Sequence, residues 1–216
     1  MSLDIYQDVS YHLISQARIT RTGHRMRKSK QEAAVTRQRI IKAAAAAFRK
    51  NGIAGTGLSD LMASAGLTHG GFYRHFDSKD QIVTEAFTAA AESLAQELAA
   101  AASRKSPPRG LKAILEKYLA LAHRDEPADG CPVAALGSEI ARGDEKTRAA
   151  ATLALLNFVE IIASQFDKTR PDVARRRAWI AAATMIGAVT ISRIVTDSEL
   201  SAGILREAEK QLVSSR

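Results

Sequence analysis

Six hydrogen-bond donors, Thr68, His69, Tyr73, Arg74, His75 and Lys79, fall within twelve residues of the stretch GTGLSDLMASAGLTHGGFYRHFDSK, which runs from Gly55 to Lys79. Gly70 and Gly71 sit among them, and two residues without side chains let another backbone approach closely. A hydroxyl and an imidazole beside such a bare spot can bond base edges or phosphates. The phenol, guanidinium, imidazole and ammonium that follow suit phosphate contacts, which fix register without reading sequence. Phe72 and Phe76, four residues apart, would lie on one face and anchor the segment from beneath.

The elements around this stretch must point those donors outward. Leu58 to Ala65 reads as a short helix closed by Gly66. A second begins near His69 with Thr68 placed to cap it, and the two are separated by the tight turn Gly66–Leu67. Helix, glycine turn and short helix is the layout of a helix-turn-helix, whose second helix enters the major groove of DNA. Upstream, Val35, Ile40, Ile41, Ala44, Ala45 and Phe48 give helical spacing over 31–51, ended by Gly52. Downstream, Ser78 and Gln81 form a capping box for a long helix to about Ser103.

Five more helices are expected: one from the Pro107–Pro108 region to about His123, one from Cys131–Pro132 to Gly143, and one from Asp144 to Phe166. The last two start at Pro171 and near Ser198, and the section 178–191 of the former is apolar nearly all round, which predicts burial on most of its faces. Strand signals are almost absent, so the fold class is all-α with about nine helices.

Charge divides the chain the same way. Residues 1–80 hold 13 Lys and Arg against 6 Asp and Glu, a net +7, while the other 136 residues hold 18 against 17, a net +1. A basic front and a near-neutral rear fit an electrostatic footprint for a polyanion on a head module. The 216 residues suffice for a sizeable core. One cysteine, Cys131, excludes an intrachain disulfide, and no uncharged apolar run reaches the length that spans a bilayer. Asp4 and Asp8 interrupt any secretory pattern, so the expected compartment is the cytoplasm, with no membrane partner. A glycine-rich phosphate loop, HExxH and GxSxG are all lacking, and five scattered His with one Cys make a poor metal site. The expectation is therefore no enzyme, no metal and no cofactor.

The stretch from about Thr36 to Phe87, above all LTHGGFYRHFDSKD, resembles the DNA-binding domain of the tetracycline-repressor family. The resemblance implies that Tyr73, His75 and Lys79 hold phosphates, that Thr68 to Gly71 face the groove, and that Arg37 and Thr56 touch the DNA backbone from the flanks. Two positions depart from the family pattern. Gly57 stands where a Ser or Thr usually caps the helix before the turn, and His69 stands where a Lys is frequent. The resemblance also implies a sensor module with an apolar pocket, and a homodimer through the last two helices that binds a palindromic operator. Ala183 and Gly187, at i and i+4, would let a partner helix approach, although packing within the chain explains them too.

The expected domains are thus an N-terminal extension over 1–30, a helix-turn-helix domain over 31–78, and an effector-binding and dimerisation domain over 79–216. Arg18, Arg21, Arg25, Arg27, Lys28 and Lys30 make the extension either a basic arm on DNA or a flexible, non-specific tail, and Met26 falls where a shorter chain would begin. Tyr118, His123, Phe158, Trp179 and Met185 combine apolar bulk with polar tips and are the candidate effector residues, though core packing accounts for each equally well. Cys131 precedes Pro132 at a helix start, where an exposed thiol would be activated as an electrophile sensor and a buried one would be inert. The reading that results is a transcriptional repressor of double-stranded DNA, released by a small molecule or an electrophile. Its alternatives are a constitutive architectural DNA binder and a small helical enzyme using Cys131 and His123.

Overall fold

The computed structural model describes residues 30–166 and 170–214. The basic extension, apart from Lys30, lies outside the described residues. The chain divides into two units between Ile40 and Ile41, and each is described by itself. In the first, residues 30–40 are helical and open α1, which runs over 30–51.

The second unit holds the rest of α1, α2 (Leu58–Ser64), a 3₁₀ helix (His69–Arg74), α3 (Lys79–Ala102), α4 (Pro107–Tyr118), α5 (Leu121–Asp125), α6 (Pro132–Ile140), α7 (Glu145–Ala163), α8 (Pro171–Ile194) and α9 (Ser198–Ser214). No strand occurs among the described residues. Helix α3 packs against α4 and α7, α7 against α8, and α8 against α9, while α6 lies on α7 and α8.

Local chemistry explains most boundaries. Ser78 accepts the Gln81 N–H at 3.1 Å, and the Gln81 side chain takes the Asp77 N–H at 2.7 Å, so α3 begins at the expected capping box. Asp144 caps α7 through the Thr147 N–H at 2.7 Å. Leu111, Ile114, Leu115 and Tyr118, on one face of α4, enter a core with Leu98, Val159, Ile162, Met185 and Val189. Burying each such side chain contributes about 1.5–3 kcal/mol.

Three expectations are corrected. The segment after Thr68 is a 3₁₀ helix, held by Gly71 N–H to Thr68 C=O and His75 N–H to Phe72 C=O, and Thr68 makes no side-chain cap. Gly70 and Gly71 each disfavour α-helix by about 1 kcal/mol, and a short anchored piece does not recover that. The helix expected to reach His123 breaks at Leu119–Ala120, where Ala120 is extended. The cause is His123, whose Nδ1 bonds the Tyr118 carbonyl and takes it from the helix ladder. Section 178–191 of α8 is buried on one face only. Ile180 is 65% exposed, Ile191 51%, and Ile194 just beyond it 72%.

Candidate nucleic-acid interface

Helix α2 ends in a Schellman turn. Gly66 adopts φ +68°, its N–H bonds Ala63 C=O at 2.9 Å, and the Leu67 N–H reaches back to Met62 C=O at 2.8 Å. The left-handed glycine turns the chain sharply, so the 3₁₀ helix packs directly on α2. Phe72 and Phe76 are fully buried and stacked 5.5 Å apart, which fixes the opposite face outward. That face carries Thr68, His69, Gly70, Tyr73 (65% exposed) and Arg74. A Cβ at Gly70 would meet nothing within 4 Å, and one at Gly71 would meet only Met62 Cε at 3.6 Å. Neither glycine is therefore required by packing within the chain. His75 is half-buried and already engaged. His69 lies 3.2 Å from the Ser59 hydroxyl on α2, a partner that the sequence reading missed.

The flanking candidates behave differently. Arg37 is half-buried in the first unit and already engaged. Thr56 is buried, and its hydroxyl donates to Gly52 C=O at 2.7 Å, closing the end of α1 instead of facing DNA. Lys79 donates Nζ–H to Ile53 C=O and Thr56 C=O, both at 2.8 Å. It positions the α1–α2 loop, a role that the residue type alone does not reveal. Gly57 leaves α2 without a side-chain cap.

The loop that Lys79 holds from one side is held from the other by α6. Glu139 Oε1 accepts the N–H groups of Ile53 and Ala54 at 2.9 and 3.0 Å. At the opposite end of α6, Arg49 of α1 donates to the Gly130 carbonyl at 3.0 Å. This nine-residue helix is thereby tied to the α1–α2 loop at one end, and the residue just before its other end is tied to α1. These partners lie more than 80 residues apart, and no local pattern marks Arg49, Gly130 or Glu139.

In the rear, Tyr118, Cys131, Phe158 and Met185 share one buried cluster, and His123 joins it with its ring 4.5 Å from that of Tyr118. Trp179 lies apart, 41% exposed on α8. His123 Nδ1–H donates to Tyr118 C=O, and Nε2 accepts the Cys131 backbone N–H at 2.8 Å. Those bonds select the neutral imidazole with its proton on Nδ1. Burial holds its pKa below the ordinary histidine value, against the Tyr118 carbonyl, which favours the cation.

Cys131 is buried, and burial pushes its thiol pKa up. Of the two states open from sequence, the structure has the buried one, where loss of water outweighs whatever the start of α6 offers a thiolate. His123 bonds the Cys131 amide, and both its nitrogens are committed, so the pair forms no nucleophile–base dyad. No group of three His, Cys, Asp or Glu residues could hold a metal among the described residues, and no described helix is long and apolar enough to cross a membrane.

Known proteins resemble the chain in both parts. A family model described as bacterial regulatory proteins of the tetR family matches residues 40–86, and a model of the C-terminal domain of LmrA/YxaF-like transcriptional regulators matches 107–211. The HTH-type transcriptional regulator TtgR of Pseudomonas putida is 47% identical over 58 residues, a match covering 27% of this chain and 28% of that protein. The chain therefore matches under a third of that relative's length. An uncharacterised HTH-type transcriptional regulator of Mycobacterium tuberculosis is 28% identical over 169 residues, covering 74% of this chain and 86% of the relative. The crystal structure of a TetR transcriptional regulator from Chloroflexus aurantiacus superimposes with a TM-score of 0.71 at 29% identity, covering 85% and 95% of the two chains.

Proposed function

We propose that this chain, which belongs to the tetracycline-repressor family of bacterial regulatory proteins, is a DNA-binding transcriptional repressor that leaves its operator when a small molecule occupies its rear domain. The observation that carries the DNA-binding reading is the recognition segment. A buried Phe72–Phe76 pair holds Thr68, His69, Gly70, Tyr73 and Arg74 on one face, and neither Gly70 there nor Gly71 beside it has a packing reason to be glycine. A bare backbone flanked by donors fits a major groove and its phosphates. The basic front supplies the long-range attraction.

The proposed division is a helix-turn-helix head over 31–78 and an effector and dimerisation domain over 79–216, working in the cytoplasm. A homodimer through α8 and α9 is supported by the exposed face of α8. Ile180, Thr184, Gly187, Ile191 and Ile194 follow one another at steps of four and three, the seam that two helices crossing at about +20° share. A Cβ at Gly187 would meet nothing within 4 Å, so this mid-helix glycine answers to no neighbour in its own chain. Glycine there costs roughly 0.5–1 kcal/mol relative to alanine, which close approach of a second α8 would offset. Two-fold symmetry then sets two recognition segments about 34–36 Å apart, or a multiple, on a palindrome.

Coupling to an effector would use the α6 ties, since a shift of α6 moves the α1–α2 loop through Glu139 and α1 through Arg49. The test is titration of purified protein against a duplex from upstream of its own coding sequence, at several salt concentrations, beside a scrambled duplex. Sequence-selective binding with a steep salt slope is expected. Equal weak binding to both duplexes would indicate an architectural role and overturn the repressor.

A further inference from the structure

A cavity of about 280 Å³ opens between α3, α4, α5 and the loop 126–130. Its apolar floor is Leu94, Ala120 and Ala122. Tyr118 and His123 supply aromatic surface, and Glu97, Glu126 and Asp129 bring three carboxylates against the one ammonium of Lys117. In a chain of formal charge +8 this is a locally acidic spot.

Two further features mark it as more than a patch of acids. His123 adds no positive charge, because its Nε2 is occupied by the Cys131 N–H. Tyr118 lines the cavity with its hydroxyl buried beside the Cys131 thiol, so the wall it offers is its ring. Arg49 and Arg193 stand behind the wall. They are bound to the carbonyls of Gly130, and of His123 and Arg124, and neither lines the cavity.

We infer that this cavity is the effector site of the proposed repressor and takes an organic cation, an aromatic or otherwise apolar body bearing a protonated amine. The ammonium would sit among Glu97, Glu126 and Asp129 at the edge of the Tyr118 and His123 rings, where Coulomb attraction and cation–π attraction add. The inference rests on the function proposed above and names its ligand class.

The geometry also supplies the response. Gly130 lines the cavity, and its carbonyl is the one that Arg49 holds. Asp129 and Glu97 stabilise the Arg49 guanidinium in its half-buried position. A cation bound between those carboxylates competes for their charge and repels Arg49, loosening the tie between α6 and α1. Gly130 cannot be replaced without disturbing this corner, since a Cβ would come within 2.8–2.9 Å of His123 and Arg193 side-chain atoms.

The test uses the full-length protein with two probes of the same shape, 2-(1-naphthyl)ethylamine, a cation at pH 7, and the neutral 2-(1-naphthyl)ethanol. Calorimetric titration without DNA should show the amine binding at least about tenfold more tightly. Replacing the exposed carboxylates in E126Q/D129N should remove that preference. Equal affinities, or a preference that survives in the double variant, would overturn the inference. Saturating amine, and not the alcohol, should also weaken binding to the upstream duplex, and amine binding that leaves DNA affinity unchanged would overturn the effector role. A protein that binds the amine selectively but never distinguishes its upstream duplex from scrambled DNA would refute the repressor reading while leaving the cation site standing.

Discussion

Histidines in the two regions do opposite things. His69, on the recognition segment, is exposed and lies beside a neighbouring hydroxyl, whereas His123 is boxed in, donating to one backbone group and accepting from another. The same contrast runs through the arginines. Arg74 extends into solvent, while Arg193 is spent on the carbonyls of His123 and Arg124. The recognition segment keeps Tyr73 and Arg74 exposed to solvent, whereas the rear commits His123 and Arg193 to backbone partners. A surface that meets DNA needs donors available at little reorganisation cost, whereas buried polar groups must find partners within the chain.

The contrast breaks most severely if the anchor beneath the front is removed. Phe72→Ala should destabilise the protein by about 3–5 kcal/mol, read as an early, separate thermal transition with loss of DNA binding. Gly70→Leu should lower DNA affinity on the order of 100-fold with an unchanged Tm, because the chain leaves open space there and only the groove does not. A drop in Tm would show that the glycine serves the fold. At the dimer face, Gly187→Glu should yield monomers by light scattering and cost about tenfold or more in operator affinity, through loss of the second half-site. A variant that stays dimeric would place the interface elsewhere.

Smaller effects probe the ties. Glu139→Ala frees the N–H groups of Ile53 and Ala54 and should cost about 1–2 kcal/mol, while making DNA affinity less responsive to any effector. The weakest is a pH effect. The folded pKa of His123 lies below its unfolded value of about 6.5, so its neutral form contributes stability above that pH. That contribution is lost as pH falls through 6.5 toward the lower folded value. Arg193 and Lys117 act in the same direction as burial, and Glu97 and the Tyr118 carbonyl oppose them. Tm should fall by a few degrees between pH 7 and 5, and His123→Asn should flatten that slope. An unchanged slope would mean that the acid sensitivity resides in other groups.

Local signals carried the front and much of the helical order. Ser78 and Gln81 cap α3 as their spacing requires, Gly66 turns where a left-handed residue is needed, and Phe72 and Phe76 face inward. Each is decided within about five residues, so each is readable along the chain. Lys79 and Thr56 carry structural roles that their residue types do not reveal. Their types suit phosphates, but loop carbonyls come within reach only once α1 and α3 flank that loop. The exposed face of α8 was misread because an apolar pattern on nearly every side does not show which side meets the rest of the chain.

The sequence by itself determined the helical class, the recognition segment with its bare glycines, and the segregation of positive charge, since propensity, capping and charge act locally or simply add. Only the tertiary structure decided that Cys131 is buried, that His123 is neutral and fixed as one tautomer, and that Arg49 and Glu139 tie α6 to the head. Those outcomes depend on desolvation, on hydrogen bonds closed across a loop at His123, and on partners more than 80 residues apart at Arg49 and Glu139. None of these exists before the helices have packed.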